Sequence, residues 1–206
     1  MILIGRNLSP FVRRCAASLR LMGFDHEQRA LSVLDHKDAI AAANPLGRVP
    51  ALILPDGETL IDSSAILDAL DEMAGPARRL TPESGPARRA VLRAVALGLG
   101  AMEKIVQAYY ERDRRPREFS WPEGMARLGA QGAAGLAALD GLAAAAPSGG
   151  WLCGPDLTQA DVTATAALDM ASLVMPELVA GRFPALTALA ARANALPAIG
   201  ETRWVG

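Results

Sequence analysis

The chain is poor in the residues that mark several common classes of protein. It has only two cysteines, Cys15 and Cys153, in 206 residues, far apart and outside any CxxC or zinc-type spacing. That excludes a disulfide framework and a structural zinc site, and it fits a reduced, cytoplasmic setting. Two histidines, His26 and His36, are too few and too isolated to suggest a metal centre, so none is expected. Charge is balanced, with Lys+Arg 21 against Asp+Glu 22 and a net charge of -1, which gives no electrostatic drive towards nucleic acid or membrane. No apolar run reaches membrane-spanning length. The opening MILIGRNLSP lacks both a basic n-region and a small-residue cleavage site, so no secretory signal is expected there. Aromatic residues make up only 4%, and no tyrosine precedes Tyr109.

What is abundant is aliphatic. At 51% hydrophobic the chain can bury a sizeable core, and its length suits one compact unit or two small domains. The pattern changes near residue 75. Before it, short β-rich runs alternate with helical periodicity: a strand at Ile2–Ile4, a helix from Pro10 to Met22, a strand from Glu27 to Leu31, and a helix from Lys37 to Ala43. A hairpin follows, with Ala51–Leu54 and Thr59–Ile61 around Pro55-Asp56-Gly57-Glu58, and then a helix from Ser63 to Met73. The first helix has Ser9 in N-cap position and Pro10 at its first residue. Its apolar stripe is Val12, Cys15, Ala16, Leu19 and Met22, with Arg13, Arg14 and Arg20 as polar positions. Cys15 on that stripe reads as a buried thiol.

Beyond Gly75–Gly85, a Gly/Pro-punctuated linker, everything reads as helix: about Pro86–Arg114, Glu123–Ala145 despite its glycines, Thr158–Met175, and Pro184–Leu196 closed by Pro197. Thr158 and Asp161 have the spacing of a capping box. The domains predicted are residues 1–75 with the order βαβαββα, a linker at 76–85, and an all-helical domain at 86–206.

The richest stretch is Asn44–Leu70. A Val49-Pro50 step can leave extended backbone with unpaired N–H and C=O groups. The helix that opens at Asp62-Ser63-Ser64 offers further N–H groups and the positive end of a dipole. Together they suit a small, peptide-like ligand with a carboxylate. Simpler roles are available for the same residues. Pro50 can be a trans proline starting a strand, Asp62, Ser63 and Ser9 can be plain N-caps, and Arg48 can be a solvated loop residue.

Ser9-Pro10-Phe11-Val12-Arg13, Asn44-Pro45-Leu46-Gly47-Arg48-Val49-Pro50, Asp62-Ser63 and Leu157-Thr158-Gln159-Ala160-Asp161 occur in an order that resembles the cytosolic glutathione transferases. The Ser-Pro-Phe-Val-Arg form is most similar to bacterial members. The resemblance spans essentially the whole chain. It implies a thioredoxin-like α/β N-terminal domain joined to an all-α C-terminal domain, with glutathione as cosubstrate. It implies a cis Val49–Pro50 bond and pairing of the Val49 backbone with the cysteinyl part of glutathione. Ser63 at the helix start would hold the γ-glutamyl carboxylate. Asp62, one methylene shorter than the Glu usual there, would help hold the amino group, and Arg48 the glycine carboxylate. Ser9 would stabilise the thiolate, with the backbone N–H of Phe11 as a further donor.

A pocket for a hydrophobic electrophile would form between the domains from Leu8, Phe11, Met102, Ile105, Val106, Tyr109, Tyr110 and Trp121. The Arg112–Arg117 run is either a solvated helix end or an attractor of anionic electrophiles. The expected activity is conjugation of glutathione to small hydrophobic electrophiles by a cytoplasmic homodimer. Its rivals are glutathione-dependent isomerisation or dehalogenation, and a non-enzymatic binding or regulatory protein of the same fold.

Overall fold

The structure is a computed structural model that describes residues 1–204. The chain divides into two compact units, Met1–Glu83 together with the residues from Asn194 onward, and Ser84–Ala193.

The first unit is built on four short strands, β1 (Ile2–Ile4), β2 (Glu27–Arg29), β3 (Ala51–Ile53) and β4 (Thr59–Ile61), in the order β2-β1-β3-β4. β1 runs parallel to β2 and antiparallel to β3, which pairs antiparallel with β4. The parallel pair needs a crossover, and α1 (Pro10–Leu21) supplies it; the antiparallel pair needs only the turn at 54–58. Strand alternation sorts the core. Leu3 and Leu52 lie opposite each other, both fully buried, on the face that meets α1 and α3 (Ser63–Ala74). Ile4 and Ala51, one residue along, pack with Ile40 of α2 (Lys37–Ala43) on the other face, beside Ile2, Leu31, Val49 and Ile61. This is the thioredoxin-like layering that the sequence leads one to expect.

Helix α1 departs from expectation in one respect. Arg13 and Arg14 read as polar positions of an amphipathic helix, yet both are buried, at 4% and 1% exposure. Each has a partner: Arg13 Nη2 donates to Asn194 Oδ1 at 2.8 Å, and Arg14 Nη2 reaches the Ser63 carbonyl at 3.5 Å. Only Arg20 lies at the surface, paired with Glu201.

The second unit consists of α4 (Gly85–Asp113), α5 (Pro122–Ala145), α6 (Gln159–Val174) and α7 (Pro184–Asn194). A final short helix, α8 (Pro197–Gly200), packs on α1 and belongs with the first unit. The sequence reading closes the last helix at Pro197 and assigns everything past residue 85 to the helical domain. Pro197 instead starts a new helical turn, a position where its missing N–H costs nothing.

Helix α6 is buried almost throughout, as its apolar sequence implies. The buried Asp161 anchors its start: Oδ2 accepts from the N–H and hydroxyl of Thr158, both at 2.9 Å, and Oδ1 accepts from the Leu152 N–H at 2.8 Å. Burial still holds this carboxyl above its usual pKa, against those hydrogen bonds.

The glycines of α5 weaken the helix in isolation but serve its packing. A Cβ at Gly132 would lie 2.5 Å from Ile105 Cγ1, and one at Gly135 only 3.0 Å from Ala101 Cβ and 3.1 Å from the Leu97 carbonyl. These glycines let α5 approach α4 closely, and Gly98 does the same for α4 against Thr163 of α6. Gly141, on the same helix, faces open space. Gly132→Ala should therefore destabilise the protein by about 1–3 kcal/mol through overpacking. Gly141→Ala should stabilise it by up to about 1 kcal/mol through helix propensity. Urea denaturation of the two variants checks both signs.

Candidate functional site

Three chain segments of the first unit present the residues singled out by sequence. The first is the start of α1. Ser9 has extended backbone, and its Oγ accepts from the Val12 N–H at 3.4 Å. The Ser9 N–H in turn donates to the Arg6 carbonyl at 3.0 Å. A hydroxyl can accept one bond and donate another. The long capping bond therefore leaves the Ser9 proton available to an acceptor outside the helix. The first turn of α1 contains no acidic residue, so no side chain of that turn offsets the positive end of its dipole. Ser9 and Phe11 are both half-buried.

The second segment is the loop before β3. The Val49–Pro50 bond is cis. Among the described residues neither the N–H nor the C=O of Val49 has a hydrogen-bond partner. The loop is shaped from beneath by Asn44, which is 3% exposed. Asn44 donates through Nδ2 to the Arg48 carbonyl at 2.9 Å, and accepts from the N–H groups of Leu46 at 3.0 Å and Gly47 at 2.8 Å. Asn44 is an organiser that the sequence marks only as a turn residue. Arg48 itself is exposed.

The third segment is the start of α3. Asp62 caps it, accepting from the Ser64 N–H at 2.8 Å. Its backbone sits at φ 67, the sole non-glycine residue of positive φ among those described. Such a conformation costs about 1–3 kcal/mol and tends to persist where a site requires it. Ser63 is buried at 3% exposure, and its hydroxyl has no partner among the described residues. Its carbonyl faces inward, towards Arg14 at 3.5 Å and the Cys15 thiol at 4.0 Å. Burial lowers the Arg14 pKa, while Cys15 and the Asp62 carboxylate act to raise it. Burial likewise pushes the Cys15 thiol up to about 12, so it stays protonated and is a packing group, as its place on the apolar stripe suggests. A buried cation beneath the α3 start is not legible in the helical periodicity of α1.

Of the residues assigned by sequence to an electrophile pocket, Leu8 is half-buried in the first unit. In the second unit Met102 and Ile105 are both at 0% exposure, so they are core residues of α4 and present no surface to a ligand. This corrects their assignment as pocket walls; at helical spacing a core role and a lining role have the same pattern. Tyr109 is half-buried and Tyr110 is 45% exposed, with ring centroids 5.6 Å apart. Arg112 and Arg114 both lie near the Tyr109 ring, at 6.0 and 5.9 Å. Arg112 is also held by Asp113, Glu177 and the Val174 carbonyl. The hydrogen bond from Arg112, with the nearby charges of Arg112 and Arg114, holds the Asp113 carboxyl below its usual pKa. Much of the arginine run is thus engaged in local structure. Trp121 is exposed, with Arg127 over its ring. Among the described residues no group of three His, Cys, Asp or Glu side chains is placed to hold a metal ion, and no helix is long and apolar enough to cross a membrane.

A thioredoxin-like unit with a cis-proline loop and a serine-started helix, followed by an all-helical unit, defines a class of two-part fold, and sequence comparison specifies it. The family model for the glutathione S-transferase N-terminal domain matches residues 3–78, and that for the C-terminal domain matches residues 101–201. The chain belongs to the glutathione S-transferase family.

Among solved structures, a glutathione S-transferase from Methylobacillus flagellatus with glutathione bound superposes with a TM-score of 0.90 at 27% identity, covering 99% of each chain. One from Methylobacterium radiotolerans, in complex with glutathione sulfonate, gives 0.88 at 27% identity, covering 98% of this chain and 93% of that one. Among characterised sequences, the maleylacetoacetate isomerase of Pseudomonas aeruginosa is 38% identical over 92 residues, 42% of each protein. A probable glutathione S-transferase of Zea mays is 34% identical over 76 residues, 36% of this chain and 32% of that one. The aligned stretches therefore span less than half the length of either of these two relatives.

Asp62 separates capping from backbone strain. Asp62→Ala loses the cap and keeps the strained φ, and should cost about 1–2 kcal/mol. Asp62→Gly loses the cap but relieves the strain, and should lie within about 0.5 kcal/mol of the parent or above it. Equal losses for the two variants in urea denaturation would show that φ 67 carries no strain.

Proposed function

We propose that this chain is a glutathione-dependent transferase that activates the thiol of glutathione for attack on small hydrophobic electrophiles. The observation that carries the reading is a set of unused hydrogen-bonding groups in one unit: the Val49 backbone, the Ser63 hydroxyl and the Ser9 proton. Glutathione is a short peptide with a carboxylate at each end. Its cysteinyl N–H and C=O match the Val49 backbone in antiparallel fashion. Its γ-glutamyl carboxylate matches the Ser63 hydroxyl and the free N–H groups at the start of α3. Asp62, although engaged as a cap through Oδ1, keeps a second oxygen for the ligand's amino group. The exposed Arg48 is available to the glycine carboxylate. The similar structures solved with glutathione and with glutathione sulfonate support the same ligand.

Bound this way, the cysteinyl sulfur lies near the start of α1. Donation from Ser9, with Phe11 N–H as a second donor, and the positive end of the helix dipole both favour thiolate over thiol. The thiolate attacks an electrophilic carbon: in substitution the new C–S bond replaces the bond to the leaving group, which departs with its electron pair, and in addition the resulting carbanion takes a proton from solvent, so that either route releases a glutathione conjugate. Residues 1–75 carry this cosubstrate. Within the second unit, Tyr109 and Tyr110 are the groups proposed to meet the electrophile. The Ser-Pro-Phe-Val-Arg stretch resembles bacterial members of the family, and a cytoplasmic homodimer is the matching assembly.

A second reading has one specific support, the likeness to maleylacetoacetate isomerase. In an isomerisation on this site the thiolate would add to a double bond, the adduct would rotate, and elimination would return glutathione unchanged. Both reactions use the same activated sulfur, so product analysis separates them: conjugation consumes glutathione and isomerisation does not.

Capture of the folded protein on immobilised glutathione is the expected outcome, and absence of binding would contradict the reading. Ser9→Ala should lower turnover about tenfold to hundredfold, the worth of one hydrogen bond to a charged group, with glutathione affinity little changed. Unchanged turnover would remove Ser9 from the mechanism.

A further inference from the structure

The loop between β1 and α1, residues 5–9, delivers Ser9, and it is held from two sides. From β2, Gln28 Nε2 donates to the Gly5 carbonyl at 2.9 Å and to Asn7 Oδ1 at 2.7 Å. From the other end of the chain comes Trp204, whose ring lies 5.6 Å from the Arg6 guanidinium carbon. Arg6 is the residue whose carbonyl accepts the Ser9 N–H.

Trp204 reaches that position along a docked path. Arg13 fixes Asn194 at 2.8 Å, and α8 packs on α1 with Ile199 at 1% exposure. Thr202 is 2% exposed, its hydroxyl donating to the Ile199 carbonyl at 2.6 Å. Arg20 meets Glu201 at 2.5 Å, an exposed pair that steers more than it stabilises. Trp204 itself is 37% exposed, so most of its surface is covered.

We infer that residues 194–204 form a strap that sets the conformation of the Ser9 loop, and that Trp204 and Arg6 are positioning residues for Ser9. The chain of contact is short: indole face to guanidinium, Arg6 carbonyl to Ser9 N–H, Ser9 hydroxyl to the ligand. The last step is the sensitive one, because the strength of a hydrogen bond falls steeply with misalignment. The electrophile plays no part in this path. The strap therefore acts on activation of the sulfur and leaves the Val49 and Ser63 contacts alone. Its catalytic consequence rests on the role proposed above for Ser9. Its structural content does not.

The test compares Trp204→Ala, Trp204→Phe and Arg6→Gln in the full chain. Residue-resolved amide exchange of the ligand-free protein is read first. Ser9 N–H should exchange about two- to fivefold faster in Trp204→Ala and Arg6→Gln, the factor that a half-exposed cation–π contact supplies. The Leu3 and Leu52 amides should keep the parental rate, and Trp204→Phe should restore most of the Ser9 protection.

With glutathione bound, thiolate absorbance against pH should then show a raised thiol pKa in Trp204→Ala, with glutathione affinity unchanged within about twofold. Parental Ser9 exchange in both Trp204→Ala and Arg6→Gln would overturn the inference. So would an equal acceleration of Ser9, Leu3 and Leu52, which marks general destabilisation. If the parent protein binds no glutathione, the proposed function fails while amide exchange still decides the strap.

Discussion

At Gly5 three parts of the first unit meet with no room for a side chain. A Cβ there would lie 2.5 Å from Val12 Cγ2 and 3.0 Å from Val49 Cβ, and the backbone sits at φ +125. Only glycine accepts both conditions. The contact brings the end of β1, the first turn of α1 and the residue before Pro50 to one point. Val12 gives its N–H to the Ser9 hydroxyl, and Val49 carries the unpaired backbone. The groups assigned to thiol activation and to peptide recognition are thereby fixed relative to each other by packing, with no charged pair between them.

The proposed site would spend few side chains on the ligand. Val49 is proposed to contribute its backbone, and its side chain packs in the core beside Ile4, Ile40 and Ala51. Ser63 is proposed to contribute a hydroxyl and a helix start, with Arg14 buried below. The structural residues are doing preorganisation: Asn44 curls the loop, Asp62 caps α3 from a strained backbone, and Gln28 holds the Ser9 loop. Interactions held by such residues lose little on ligand binding, since the ordering has already occurred on folding.

Much of this was legible in the chain, for identifiable reasons. Strand positions followed from short apolar runs beside clear turn chemistry, as at Pro55-Asp56-Gly57. The capping box at Thr158 and Asp161 has a local spacing and a local cause, and it forms as read. What escaped depends on long-range contact. The burial of Arg13 and Arg14 needs Asn194 and Ser63, 181 and 49 residues away. Helix α8 and the return of residues 194–204 to the first unit were hidden behind Pro197, which reads equally as a stop and as a first helical residue. Met102 and Ile105 show the limit of periodicity for the pocket, because the same stripe serves a core and a cleft.

The central claim is that unpaired backbone and a helix start in the first unit recognise glutathione while Ser9 meets its sulfur. Determination of the structure of the glutathione complex tests it most directly. The account predicts the cysteinyl N–H and C=O paired with Val49, the γ-glutamyl carboxylate on Ser63 Oγ, and the sulfur within hydrogen-bonding distance of Ser9 Oγ. Glutathione bound with the Val49 backbone still unpaired, or with its sulfur out of reach of Ser9, would contradict it.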